Sequence, residues 1–161
     1  MAERQRPKRG RPPRVLIAGL GNLLLRDDGV GVQAVRLLQA KPPSGVLVAE
    51  VGTQVLGALH LLEWADRVLA LDALMAGGPP GTIYACRESD VALEAVQASL
   101  HELGLRAALH FLPRERRPEV FILGLEPASL EPGLELSPPV QAALPRFLEL
   151  ARDSAARLRG W

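Results

Sequence analysis

The sequence has very few of the residues that cross-link or rigidify small proteins. Cys86 is the only cysteine among 161 residues, so no disulfide can form within the chain and a reducing compartment is expected. Aromatic residues make up only 4% of the chain and hydrophobic residues 48%, so the core must be built from Leu, Val, Ile and Ala. At this length we expect one domain with a single core.

Long hydrophobic runs are also missing. No stretch of about 18 uninterrupted apolar residues is present, which predicts a protein without a membrane span or a membrane partner. The opening "MAERQRPKRGRPPR" is charged but has no apolar segment behind it, so it does not match a secretory signal. Together with the single cysteine, these absences predict a cytoplasmic protein.

The net charge of +1 conceals a basic N-terminus. Six of the 19 basic residues lie within the first 14 positions, where Glu3 is the only acid, which leaves 13 basic and 17 acidic residues in the remainder. Pro and Arg without a hydrophobic period predict a disordered basic tail at 1–13, ahead of a single α/β domain at 14–161. Because that domain is acidic, we expect no nucleic-acid partner.

Short apolar runs alternate with segments of helical spacing. The runs "RVLIAG", "GVLVAEV", "RVLALDAL", "TIYACR" and "EVFILGL" predict five buried strands. Helices are predicted between most of them, including one at 92–110 with a break at Gly104, and a last helix from Ser137 to about Leu158 with a kink at Pro145. This order predicts an α/β three-layer sandwich, in which a twisted, mostly parallel five-stranded sheet carries helices on both faces.

Carboxylates follow three successive predicted strands. The first strand leads into the pair Asp27 and Asp28, the second ends near Glu50, and the third ends at Asp72. Taken singly, Asp28 could cap the next helix, Asp72 could bind backbone amides and Glu50 could be solvated. Ligands of such sheets bind at the carboxyl ends of the strands, however, and converging carboxylates need a cation or a shared proton. The pattern therefore predicts a site at this edge.

A histidine would complete a transition-metal site with these acids. His60 lies in a leucine-rich predicted helix, where we expect a surface or packing residue. His110 lies in the apolar "ALHFL" and is interpreted as a core histidine. His101, in "SLHELG", is the favoured candidate because it lies close to a glycine and follows a small hydroxyl residue.

Other catalytic motifs are incomplete. "GLGN" resembles the start of a dinucleotide fingerprint, but Leu24 occupies the position of the third glycine, so no organic cofactor is expected. Neither a nucleophile elbow nor a phosphate-binding glycine–lysine loop is present. Cys86, on an apolar strand, is expected to be inert. Gly19 and Gly21 are expected to permit close approach of the backbone near the acids.

The series "GLGNLLLRDDGVG", "EVGTQ", "LALDAL", "GTIY" and "LHELGL" resembles the hydrogenase maturation endopeptidases. The segment "GLEPASLEPGLELSPPV", at 124–140, is similar to the family's penultimate strand–loop–helix segment, and the likeness covers nearly the whole chain from Arg14 onward. The resemblance implies an endopeptidase that removes a short C-terminal extension from the large-subunit precursor of a nickel–iron hydrogenase after nickel has been loaded.

The resemblance also implies which residues carry the chemistry. By motif position, Asp28, Asp72 and His101 would contact nickel and carry catalysis, with Glu50 as a secondary candidate ligand. The substrate would supply the nickel, the precursor would be the protein partner, and the enzyme is expected to be a monomer. Two alternatives remain open: a metal-dependent hydrolase of a small substrate, and a non-enzymatic nickel-binding maturation chaperone.

Overall fold

The computed structural model describes residues 10–90 and 100–160. Most of the predicted tail and the first part of the predicted helix at 92–110 lie outside these described residues. The strands are β1 (Val15–Leu20), β2 (Val46–Gly52), β3 (Arg67–Ala73), β4 (Ile83–Arg87) and β5 (Glu119–Leu125). The α-helices of the described ranges are α1 (Val30–Ala40), α2 (Leu59–Trp64), α3 (Leu100–His110) and α4 (Pro138–Gly160).

The strands form one sheet in the order β2-β1-β3-β5-β4. β1 pairs in parallel with both β2 and β3, and β3 pairs in parallel with β5, whereas β4 is antiparallel to β5 at the edge. The carboxyl ends of the four parallel strands therefore meet at one edge. Because the chain moves from β1 outward to β2 and then back to β3 on the other side, a crevice is expected at this edge between β1 and β3.

Helices cover both faces of the sheet, and two separate cores result. Along β1, Val15 and Ile17 belong to one core while Leu16 and Ala18 belong to the other, because successive strand residues point to opposite faces. The first core includes buried residues of α1 and α4, and the second includes those of α2 and α3. The predicted three-layer sandwich with a mostly parallel five-stranded sheet is confirmed.

The described part of α3 differs from the prediction. The helix runs without interruption from Leu100 to His110, so the predicted break at Gly104 is wrong. Glycine weakens a helix only by about 1 kcal/mol relative to alanine, and the burial of Leu105 and Ala108 against the second core offsets that cost. The last helix, Pro138–Gly160, contains Pro145 and has nearly the predicted limits.

Part of the predicted tail contacts the domain. The Arg11 guanidinium donates to both carboxylate oxygens of Asp66, at 2.7 and 3.2 Å, and the Arg14 amide donates to the same carboxylate at 2.7 Å. Burial alone would raise the pKa of Asp66, but these donors outweigh it and hold the pKa below its usual range. Pro13 is buried. Arg11 and Pro13, at the end of the predicted tail, therefore lie against the α/β domain.

Within the two described ranges, no helix combines the length and the apolar character needed to cross a bilayer.

Candidate metal site

Asp28, Asp72 and His101 converge at the carboxyl edge of the sheet. The Nε2 atom of His101 lies 3.4 Å from Oδ2 of Asp28, and its Nδ1 atom lies 3.6 Å from Oδ1 of Asp72. One ligand atom from each residue lies within 4.8 Å of the other two. Their side chains are 12%, 1% and 11% exposed, in the order Asp28, Asp72, His101. The three residues thus form a compact, largely desolvated group of oxygen and nitrogen donors.

The alternation of β3 places Asp72 in this group. Val68 and Ala70 lie in the core beneath α2 and α3, so Asp72, two residues further on, belongs to the same face. His101 lies in the first turn of α3, which covers that face. The Ala73 amide donates to Oδ1 of Asp72 at 2.8 Å. A carboxylate so deeply buried is costly unless it is hydrogen-bonded or matched by a cation.

Asp28 lies in the 3-10 turn Arg26–Gly29 that follows β1. The Asn22 amide donates to Oδ2 of Asp28 at 2.9 Å. The alternative role as a helix cap is not adopted, because α1 has Gly29 at its N-cap position and no side-chain hydrogen bond there. The carboxylate of Asp28 therefore remains directed to the site.

Gly21 permits the close approach on which this geometry depends. Its φ is +119°, and a Cβ atom there would lie 1.9 Å from the carbonyl oxygen of Asp28 and 3.5 Å from Oδ1 of Asp72. Real Cβ contacts never come so close to a backbone oxygen, and L side chains rarely adopt this φ. The site thus requires glycine where the sequence analysis expected it.

The adjacent carboxylate, Asp27, has a different role. It is fully buried and accepts hydrogen bonds from the amides of Ala128, Ser129 and Ser137 at 2.8, 3.0 and 2.8 Å, and from the Ser137 hydroxyl at 2.7 Å. Burial alone would raise the pKa of Asp27, but these hydrogen bonds hold it below its usual range. The sequence analysis missed this role because the donors lie 101–110 residues away.

Glu50 is held elsewhere. Its carboxylate accepts hydrogen bonds from the Arg36 guanidinium at 2.9 and 2.8 Å, and this partner holds the pKa of Glu50 below its usual range. Among the residues that the structure describes, the group of possible ligands contains Asp28, Asp72 and His101 but not Glu50. The structure therefore does not bring the secondary candidate to the site.

The other two histidines are exposed. For His60 this agrees with the sequence analysis, but the interpretation of His110 as a core residue is wrong. The residues near His110 that belong to the second core are Leu105, Ala108 and Leu112. At 3.6 residues per turn this spacing turns His110 toward solvent, although its immediate neighbours are apolar.

Hydrogen bonds fix the loops that follow β1, β3 and β5 at the edge of the sheet where Asp28, Asp72 and His101 converge. The Glu126 carboxylate accepts hydrogen bonds from the amides of Ala76 and Gly77 at 2.7 and 2.9 Å, which fixes the loop after β3. The loop after β5 pairs with the loop after β1 and leaves Leu24 and Leu134 63% and 71% exposed. Two large apolar side chains are therefore exposed on loops whose backbones are hydrogen-bonded to each other.

The donor set suits a divalent transition metal. Two carboxylates and one imidazole match the ligands that nickel and zinc accept, and three protein ligands leave coordination positions open. A separate cavity of ≈ 400 Å³ lies against Cys86, Phe121 and Leu158, and the three-residue group is not part of its lining. Arg87, Asp90 and Arg157 line that cavity, but among the described residues the group of possible metal ligands is at the sheet edge, so we assign the metal chemistry there.

The sequence comparisons agree on one family. A family model described as hydrogenase maturation protease matches residues 32–154. The hydrogenase expression/formation protein HupM of Azotobacter chroococcum mcd 1 is 36% identical over 149 residues, which cover 88% of this chain and 71% of that protein. The hydrogenase 2 maturation protease of Escherichia coli K12 is 33% identical over 142 residues, covering 84% of this chain and 87% of that protein.

Solved structures give the same result. The hydrogenase maturating endopeptidase HybD from Escherichia coli superposes with a TM-score of 0.80 at 31% identity, covering 89% of this chain and 93% of that chain. The [NiFe] hydrogenase maturation protease HybD from Thermococcus kodakarensis superposes with a TM-score of 0.75 at 30% identity, covering 88% of this chain and 99% of that chain.

Proposed function

The chain belongs to the hydrogenase maturation protease family, which makes it a hydrolase, and we propose that it removes the C-terminal extension of a nickel–iron hydrogenase large-subunit precursor. Cleavage follows nickel loading, and the nickel held by the substrate is what the enzyme recognises. The observation that carries this proposal is the convergence of Asp28, Asp72 and His101 at the crevice between β1 and β3.

The charges of the group support recognition of a cation. Asp72 is almost fully buried and Asp28 is largely buried, so two carboxylates lie in a poorly solvated site. A divalent ion between the two carboxylates would interact favourably with both charges, so a nickel-loaded precursor is expected to bind more tightly than an empty one. His101 contributes imidazole nitrogen atoms beside both acids. Specificity for a loaded precursor thus follows from charge matching as well as from shape.

In this proposal the residues of the chain bind the substrate's metal and orient the peptide next to it. Asp28, Asp72 and His101 fix the position of the substrate's metal, and thereby of the peptide next to it, relative to the sheet edge. Nickel, when bound there, supplies a Lewis acid close to the scissile peptide. Leu24 and Leu134 offer apolar surface to the precursor on the neighbouring loops. We place the reaction in the cytoplasm, consistent with a chain that contains a single cysteine, and propose that the enzyme acts as a monomer.

The test is to offer nickel-loaded and metal-free precursor in parallel, each with and without a chelator that removes only loosely held metal. The mass of the large subunit reports cleavage. We expect the loaded form to be cut in both buffers and the metal-free form in neither. Efficient cleavage of the metal-free precursor would contradict nickel recognition and indicate an ordinary protease. Binding of the loaded form without a mass change would indicate a chaperone.

A further inference from the structure

We propose that Asp27 is a positioning residue, which locks the loop at 128–137 to the loop that carries Asp28 and so holds the metal-binding carboxylate in place. This proposal rests on the proposed function for the role of the metal. The evidence is the set of contacts that Asp27 makes and the backbone strain of the residue before it.

Within the described part of the chain, the Asp27 carboxylate accepts four hydrogen bonds, and all of them come from one segment. Oδ2 accepts from the Ala128 amide, the Ser129 amide and the Ser137 hydroxyl, and Oδ1 accepts from the Ser137 amide. An ionised carboxylate can accept at about four lone-pair positions. An asparagine could serve only one of the two oxygen positions, because its amide nitrogen would face a donor at the other.

Backbone hydrogen bonds join the same two loops on either side of this carboxylate. The Asp27 amide donates to the Ser129 carbonyl at 3.2 Å, the Arg26 amide donates to the Gly133 carbonyl at 2.9 Å, and the Gly133 amide donates to the Leu24 carbonyl at 2.9 Å. The loops therefore form one hydrogen-bonded unit, with the Asp27 side chain at its buried end.

Arg26 shows that the turn needs this external support. Its φ is +44°, and it is the only non-glycine residue with a positive φ among the described residues. A side chain other than glycine is disfavoured in this region, and such strain persists only where surrounding contacts over-determine the backbone. Arg26 opens the 3-10 turn that contains both acids. Without the Asp27 anchor, relaxation of Arg26 would carry Asp28 with it.

The experiment compares three full-length, tag-free variants. Asp27→Asn replaces one of the two acceptor oxygens by a donor, and Ser137→Ala removes the hydroxyl donor and leaves the carboxylate. Asp66→Asn is the matched control, because Asp66 is also a carboxylate anchored by a backbone amide and lies before β3, at the opposite edge of the sheet. Urea unfolding of all three gives the loss of stability against which the other measurements are compared.

Two readouts separate positioning from stability alone. The first readout is the affinity for Ni²⁺ alone, measured by calorimetry. We expect Asp27→Asn to weaken this affinity by about tenfold or more. Ser137→Ala should weaken it less, and Asp66→Asn should leave it unchanged. The second is amide hydrogen exchange, which should accelerate at both 22–29 and 128–137 in Asp27→Asn but at neither in Asp66→Asn. Unchanged nickel affinity, or unchanged exchange at 22–29, in Asp27→Asn would overturn the proposal.

The exchange measurement keeps the proposal separate from the proposed function, because it uses neither nickel nor a precursor. If the wild-type enzyme failed to cleave a loaded precursor, exchange would still decide whether Asp27 couples the two loops. If Asp27→Asn did not fold, Ser137→Ala would decide the same question: faster exchange at both loops supports the coupling, and faster exchange at 128–137 alone overturns it.

Discussion

Replacing Gly21 by alanine should damage both stability and metal binding. The new Cβ would lie 1.9 Å from the carbonyl oxygen of Asp28, where a normal contact is above 3 Å, so the backbone around Asp28 must move by more than 1 Å. Backbone strain at φ +119° costs about 1–3 kcal/mol, and overpacking costs about 1–3 kcal/mol more. We therefore expect Gly21→Ala to lower the free energy of unfolding by about 2–6 kcal/mol.

The matched control is Gly104→Ala. Gly104 lies within α3, where a Cβ atom would meet Val55 at an ordinary 3.5 Å, so alanine should stabilise the helix by about 0.5–1 kcal/mol. Urea unfolding measures both changes, and calorimetry with Ni²⁺ measures whether Asp28 has moved. If Gly21→Ala were as stable as the wild type and bound nickel equally well, the close approach of Gly21 to Asp28 would not be a requirement of the site.

Three further predictions follow from individual side chains. Asp28→Asn and Asp72→Asn keep the side-chain volume but remove the charge. Each should therefore weaken nickel binding and stop precursor processing, while the circular dichroism spectrum stays unchanged. Retained processing would exclude the residue as a ligand. His110→Ala should change the free energy of unfolding by less than about 0.5 kcal/mol, because the residue is exposed, whereas His101→Ala should abolish processing; the reverse pattern would contradict the site. The pKa of Asp66 lies below its unfolded value of about 3.9, so its ionised form stabilises the fold above that pH and this contribution is lost as the pH falls through the folded-state pKa. Asp66→Asn should therefore reduce the acid-induced loss of stability, measured by urea midpoints from neutral to acidic pH, and an unchanged acid profile would count against the Arg11 contact.

Much of the fold could be predicted because parallel strands that are buried on both faces have continuous apolar sequences. The run at 119–125 gives β5 with the same limits as the structure. The predicted break at Gly104 was wrong because the helix-propensity cost of glycine is smaller than the stabilisation from packing Leu105 and Ala108 in the core. The local sequence around Gly104 does not reveal tertiary contacts of this kind.

The acids of the site could also be predicted in part. Asp28 and Asp72 follow directly from the rule that parallel strands deliver their carboxyl ends to one edge, but His101 was favoured mainly by the resemblance. Glu50 also lies near a strand end, but through Gly19 it is in register with Leu71 and not with Asp72. Its side chain therefore belongs to the opposite face of the sheet, where Arg36 of α1 reaches it. The role of Asp27 depends on contacts more than 100 residues away, which no local pattern encodes.

The sheet order also has a consequence for the order of events during synthesis. β4 is made before β5, yet among the described strands it pairs only with β5, which lies between β3 and β4. The donors to Asp27 emerge later still, at 128–137. We therefore predict that ribosome-bound chains ending before Glu119 are cleaved by added protease at β4, whereas chains that expose α4 outside the exit tunnel resist cleavage. Early protection of β4 would contradict this order. An enzyme proposed to inspect whether another protein is finished thus itself needs its segment at 128–137 before the buried carboxylate beside its site can find its donors.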